Sequence, residues 1–133
     1  MILIIGGAYQ GKLECAMKKY NLKENDVFNC KGMDIDLSKK VINDFENYIW
    51  FCNENNKEPL DVMENELLQL QKSGKSCSIC DKIIICNDIS QGVVPVESNV
   101  RNYRELSGRT LTKLANHADE VIRVFCGLEC KIK

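Results

Sequence analysis

The chain is short of several things at once, and each shortage removes a class of function. It has one histidine, His117, in 133 residues. A lone imidazole brings no partner pattern for a metal centre or an acid–base relay, and His117 reads as a helix-surface residue. It has almost no net charge, with 18 Lys and Arg against 19 Asp and Glu for a balance of −1. No global basic field is there to recruit nucleic acid or an anionic membrane. It has no long apolar run: Met1 to Ile5 and Ile83 to Cys86 are the longest, against the ~20 residues that a bilayer crossing needs. No basic stretch precedes the first run, which is also too short for a secretory signal. The expected location is the cytoplasm. Length alone predicts one domain, residues 1–133.

Cysteine is not scarce: there are eight. Cys77-x-x-Cys80 and Cys126-x-x-x-Cys130 have spacings compatible with a zinc site. In the sheet predicted below, the two pairs fall at opposite ends, on the order of 15 Å apart. Reduced thiols and no metal are expected, with Cys86 and Cys126 acting as small core hydrophobes inside strand patterns.

Ile2 to Ile5 is a continuous apolar segment ended by a glycine pair, the pattern of a strand buried on both faces. Gly11 to about Tyr20 follows as a helix with Leu13, Ala16, Met17 and Tyr20 on one stripe. Asp26 to Cys30 reads as a short strand and Leu37 to about Asn53 as a helix carrying Val41, Ile42, Phe45, Ile49 and Cys52 on one side. Pro59 opens a helix to about Lys72, stopped by Gly74. Lys82 to Asn87 is a second buried strand and Asp88 to Ser98 a loop. Asn99 to about Ala118 is the longest helix, interrupted by Gly108, for which a close packing contact is one reason to expect a glycine. Glu120 to Phe125 is the last core strand, and Leu128 to Ile132 returns beside it. Alternating strands and helices predict an α/β fold with a mostly parallel sheet, whose ligands bind beyond the carboxyl ends of the strands.

There lies the most informative segment, Gly6-Gly7-Ala8-Tyr9-Gln10-Gly11-Lys12. A glycine, four residues, a second glycine and a lysine between strand and helix nearly complete a phosphate-binding P-loop. Consecutive backbone N–H groups form an anion nest, the helix adds its positive dipole end, and Lys12 supplies an ammonium for β- and γ-phosphates. The motif ends in Ser or Thr, whose hydroxyl holds Mg²⁺; here that position is Leu13. Mg²⁺ binding is expected to be weakened and to rely on nucleotide oxygens, water and a carboxylate, with Asp88 the first candidate and Asp26, Asp34 and Asp36 behind it.

From Asn87 the chain reads NDISQGVVPVESNVRNYRELSGRTLTKLANHADEVIRVFCGLECKIK. With Asn87, Asp88, Gly92, Val94 and Pro95, then Arg101, Tyr103, Arg104 and Glu105, then Gly108, Arg109, Leu114 and Ala115, then Ala118 to Val121 and Gly127, it resembles the C-terminal half of the bifunctional adenosylcobinamide kinase/adenosylcobinamide-phosphate guanylyltransferase family of cobalamin biosynthesis. That family's opening motif, G-G-A-R-S-G-K-S, aligns with residues 6–13. The resemblance implies a P-loop, RecA-like three-layer α/β fold, ATP or GTP held by Gly6 to Leu13, and a homo-oligomer. It implies a corrinoid acceptor, with Asn87, Gly92, Pro95, Arg101, Arg104 and Arg109 as candidates to touch substrate or a neighbouring subunit; for the three arginines a solvated helix face is the equal alternative. The loop motif and the magnesium argument make Lys12 and Asp88 the candidate catalytic residues.

Two departures shape the expected chemistry. The family transfers GMP through a guanylylated histidine upstream of Lys82, and this chain has none there. Without its nucleophile, that transfer is not expected. The family's D-C-x-T-type strand has only Asp26 to Cys30 as a candidate remnant. The alternative is a catalytically degenerate relative that serves as a binding or regulatory module.

Overall fold

The computed structural model describes the whole chain except residues 33, 75–77 and 91. Cys77 therefore lies outside the described residues. The strands are β1 (Ile2–Gly6), β2 (Val27–Asn29), β3 (Val41–Asn43), β4 (Ile83–Asn87), β5 (Glu120–Phe125) and β6 (Leu128–Lys131). The helices are α1 (Lys12–Lys19), α2 (Phe45–Glu54), α3 (Pro59–Lys72) and α4 (Ser98–His117). One six-stranded sheet has the order β2-β3-β4-β1-β5-β6. All pairings are parallel except the hairpin of β5 with β6. This is the mostly parallel α/β architecture that the alternation of elements predicts.

The central strands are apolar on both faces because both faces are covered. Leu3, Ile84 and Val121 lie in register and face a core built with α2, α3 and α4. Ile4, Ile85 and Ile122, one residue on, face a second core with Ala16 and Leu13 of α1. Each fully buried aliphatic side chain contributes roughly 1.5–3 kcal/mol, so these rows fix the register that brings the ends of β1 and β4 together. On the larger side, Trp50 meets Tyr103 edge-to-face at 4.8 Å between ring centroids, joining α2 to α4.

Three expectations are corrected. Residues 37–53 are not one helix: 41–43 form a strand, and α2 begins at Phe45. Val41 and Ile42 do match helical spacing, but they point into opposite cores, as alternate strand residues must. Asp44, at φ 54°, turns the chain between the two elements. Cys126 is not a core thiol but an exposed residue with φ 51° at the tip of the β5–β6 hairpin. Gly108 has open space where a Cβ would stand, so no packing contact requires it.

Cys30, Cys52 and Cys86 are the buried cysteines among the described residues. Burial pushes the Cys30 thiol up to about 12 from an ordinary 9.0, and the charges of Asp44 and Glu46 add to it. Burial, with Glu46 next, holds Cys86 well above the same value. A raised thiol leaves stability intact below the unfolded value and removes it as pH climbs, because only the unfolded chain can then ionise. In urea unfolding these thiols should therefore contribute a stability that is constant below about pH 9 and falls toward pH 12, by roughly 1.4 kcal/mol per thiol per pH unit. The hydroxyls of Tyr20, Tyr48 and Tyr103, also raised by burial, should steepen the fall above their ordinary 10.0. Cys30→Ala should flatten part of that slope; a slope independent of these cysteines would contradict the assignment.

Candidate functional site

β1 and β4 end side by side, with Gly6 opposite Asn87. The chain leaves β1 through residues 7–11 and enters α1 at Lys12. Gly6 has no room for a side chain: a Cβ there would lie 2.3 Å from the main-chain oxygen of Val124. Gly11, at φ 77°, is the N-cap of α1 and takes a left-handed conformation that suits glycine. Tyr9 is also left-handed, at φ 57°, with its side chain fully in solvent. The Asp88 N–H donates to the Gly6 carbonyl at 2.9 Å, tying the two loops together.

A second tie comes from the far edge of the sheet. The Gly127 N–H donates to the Gln10 carbonyl at 3.1 Å, and the Cys126 N–H donates to the Gln10 side-chain Oε1. The Cys15 thiol donates to the Gly127 carbonyl at 3.4 Å. The hairpin tip thus braces the loop from outside, and Gln10 is spent on that brace. Leu13 is half-buried against the α1-side core.

Lys12 donates from Nζ to the Gly7 carbonyl at 2.8 Å and to Asn87 Oδ1. It lines a cavity of about 670 Å³ together with residues 8–11, Leu13, Asn87 and the start of α2. That last contribution was not foreseen: Asn43, Asp44, Glu46 and Asn47 complete the wall. Glu46 is 8% exposed. It accepts from the Asn87 N–H at 2.9 Å and from the Asn87 side-chain amide. Asn43 donates to Asn29 Oδ1 at 2.8 Å and Asn47 to the Cys30 carbonyl at 3.0 Å, fixing the β3–α2 turn to β2. A signal for this wall exists in the sequence. Val41-Ile42-Asn43-Asp44 and Ile85-Cys86-Asn87-Asp88 are two apolar segments that both end in Asn-Asp, as strands reaching a polar crevice do.

The other candidate residues lie around this centre. Asp88 accepts from the Ser90 N–H at 3.0 Å and from the Ser90 hydroxyl. Asp26 and Asp36 accept from nearby backbone N–H groups, of Lys23 at 2.8 Å and Ser38 at 2.9 Å. Arg101 donates to the carbonyls of Pro95, at 3.2 Å, and Val96. Arg104 donates to those of Val93, at 3.0 Å, Gly92, at 3.1 Å, and Ser90. The two guanidinium groups therefore hold the carbonyls of Ser90, Gly92, Val93, Pro95 and Val96 in place, with Val93 and Val96 more than nine-tenths exposed. Arg109 faces Glu58 at 3.3 Å and Glu105 at 3.5 Å, in solvent. His117 ends α4, its Nδ1 at 2.7 Å from the Lys113 carbonyl. The helix runs 20 residues back from the crevice, roughly 30 Å, which puts His117 at the opposite end of the sheet from Lys12.

Chemically, the cavity offers one ammonium, the turn of residues 8–11 and a helix N-terminus with the Glu14 carboxylate on one wall, and the carboxylates of Asp44 and Glu46 on the other. The first wall suits a polyanion. No described helix is long and apolar enough to cross a membrane.

A family model described as cobinamide kinase / cobinamide phosphate guanyltransferase matches residues 42–132. The match begins inside β3, where the unforeseen wall of the cavity begins, and not at Asp26 to Cys30. The bifunctional adenosylcobalamin biosynthesis protein CobU of Salmonella typhimurium is 35% identical over 60 residues, which is 44% of this chain and 33% of that protein. The protein of the same name from Escherichia coli is 31% identical over 67 residues, 49% of this chain and 37% of that protein. The aligned part of the chain thus spans about a third of the length of these relatives.

The loop's dependence on Gly6 is directly measurable. Gly6→Ala forces a methyl group against main-chain oxygen in the sheet centre, and it should lose about 3 kcal/mol or more in chemical unfolding, or fail to fold. Native stability in that variant would mean that β1 and β5 are not packed as described.

Proposed function

The chain belongs to the cobinamide kinase / cobinamide phosphate guanyltransferase family, and from that premise we propose that it binds ATP or GTP through residues 6–13 and presents the terminal phosphate to a corrinoid acceptor. The observation that carries the reading is the Lys12 ammonium, fixed between the ends of β1 and β4 at the rim of a cavity large enough for a nucleotide. Placement beyond the carboxyl ends of parallel strands supports it, as does an eight-residue helix starting at the lysine itself. Phosphoryl transfer is mostly positioning and charge stabilisation, and the groups for positioning are here.

Guanylyl transfer through a histidine is not part of the proposal. The chain's one imidazole lies a helix length from Lys12. The Mg²⁺-binding hydroxyl is replaced by Leu13, whose side chain packs on the core. These two features favour a second reading, a relative that binds nucleotide without turning it over and acts as a binding or regulatory module. The two readings share the same bound state and differ in turnover.

Calorimetric titration with ATP and with GTP, each with and without Mg²⁺, tests the common core. Lys12→Ala should abolish triphosphate binding, and an unchanged affinity would refute the assignment. Leu13→Ser should increase the Mg²⁺ dependence of binding while lowering stability by on the order of 1–2 kcal/mol for lost apolar burial. If magnesium dependence does not change, the metal site is missing for a reason other than the hydroxyl.

A further inference from the structure

Glu46 is a carboxylate where the larger core closes over β4. It occupies the first turn of α2 and is 8% exposed, between buried Phe45 and the buried thiol of Cys86. An isolated buried carboxylate is costly, and burial of this kind calls for partners. Glu46 has two from one residue: the backbone N–H of Asn87 on Oε2, at 2.9 Å, and the Asn87 side-chain amide on Oε1. The Tyr103 hydroxyl donates to the Glu46 carbonyl at 3.1 Å and anchors that turn to α4.

The sign of these contacts fixes the Asn87 amide. A carboxylate only accepts, and an ammonium only donates. With Glu46 on one side and Lys12 on the other, the NH₂ must face Glu46 and Oδ1 must face Lys12. The reverse orientation would set NH₂ against NH₃⁺ and carbonyl against carboxylate. Lys12 has three N–H donors. One goes to the Gly7 carbonyl and one to Asn87 Oδ1, which holds the ammonium at the cavity rim; among the described residues these are its two hydrogen-bond partners.

We propose that Glu46 is a positioning residue: it locks the Asn87 amide in the one orientation that accepts from Lys12, and so pre-sets the lysine for the terminal phosphates of a nucleoside triphosphate. The inference rests on the triphosphate reading of the same cavity. Its physical content is preorganisation, an ammonium that need not be ordered when the ligand arrives.

Two effects of removing the Glu46 charge have opposite signs. Simple Coulomb repulsion predicts that Glu46→Gln strengthens binding of a polyanion. Positioning predicts that it weakens binding, because the new glutamine side chain is a weaker, neutral acceptor and can also donate to Asn87 Oδ1, drawing that oxygen away from Lys12. In titrations with ATP and GTP in the presence of Mg²⁺, Glu46→Gln should lose about tenfold in affinity, the scale of one hydrogen bond to a charged group. The double variant Glu46→Gln/Asn87→Asp moves the carboxylate one link along. Position 87 then accepts from both Lys12 and the new amide, and affinity should return to within about threefold of the native chain. A purely structural role for Glu46 gives no such rescue. Should Glu46→Gln not fold in a thermal scan, Asn87→Ala breaks the same bridge and should show the same tenfold loss.

Native or tighter binding by the folded single variants, beside loss of binding in Lys12→Ala, would overturn the positioning role and leave the nucleotide reading standing. If the native chain bound neither triphosphate, the nucleotide reading would fall. The positioning role is then judged without ligand, from the Asn87 side-chain amide resonances. These should exchange slowly in the native chain and become those of a free amide in Glu46→Gln; an amide insensitive to that change would overturn the role.

Discussion

The ammonium of Lys12, held between the ends of two neighbouring strands, is the interaction on which the other features of the crevice converge. It requires β1 and β4 in register, because Gly6 must sit opposite Asn87 for the side chain to bridge them. The register is set by core rows two and three residues away, Ile4 with Ile85 and Leu3 with Ile84. It requires Gly6 without a side chain, because β5 presses its backbone against that position. It also requires a carboxylate behind Asn87, so that the acceptor atom and not the amide donor faces the lysine. Apolar burial, backbone closeness and charge order thus act on one nitrogen atom.

The cavity is assembled from three layers of support. The sheet supplies the strand ends. The β5–β6 hairpin tip holds the loop at Gln10 from one side, and α2 closes the other. Arg101 and Arg104 shape the next loop along by donating to its carbonyls. Charged residues so occupied hold that loop, and their neighbours Val93 and Val96 are exposed. The lining sets the carboxylates of Glu14, Asp44 and Glu46 around the one ammonium of Lys12, so the cavity is of mixed charge.

Much of this was legible in the residues. β1 and β4 are runs of isoleucine and leucine whose burial leaves little alternative to a central strand, and the glycines and lysine between β1 and α1 state their own geometry. β3 was hidden because it is three residues long and its apolar pair continues, by coincidence of spacing, into the stripe of α2. Periodicity averages over a dozen residues and does not register a strand shorter than one helical turn. Glu46 was hidden for a different reason. A glutamate in a first helical turn is common as a favourable charge near the dipole, and only the tertiary placement of Asn87 shows it to be a buried acceptor. Cys126 shares its apolar neighbourhood with β5, and only the left-handed turn puts it outside.

The central claim, that a polyphosphate is held by the backbone of residues 7–12 with the Lys12 ammonium beside it, is most directly tested by following backbone amide resonances during titration with GTP or ATP and Mg²⁺. The account predicts the largest shifts at Gly7 to Lys12 and at Asn87, reaching saturation together. Shifts confined to other surfaces, such as the edge along β2, with the residues of this loop unmoved at saturating nucleotide, would contradict it.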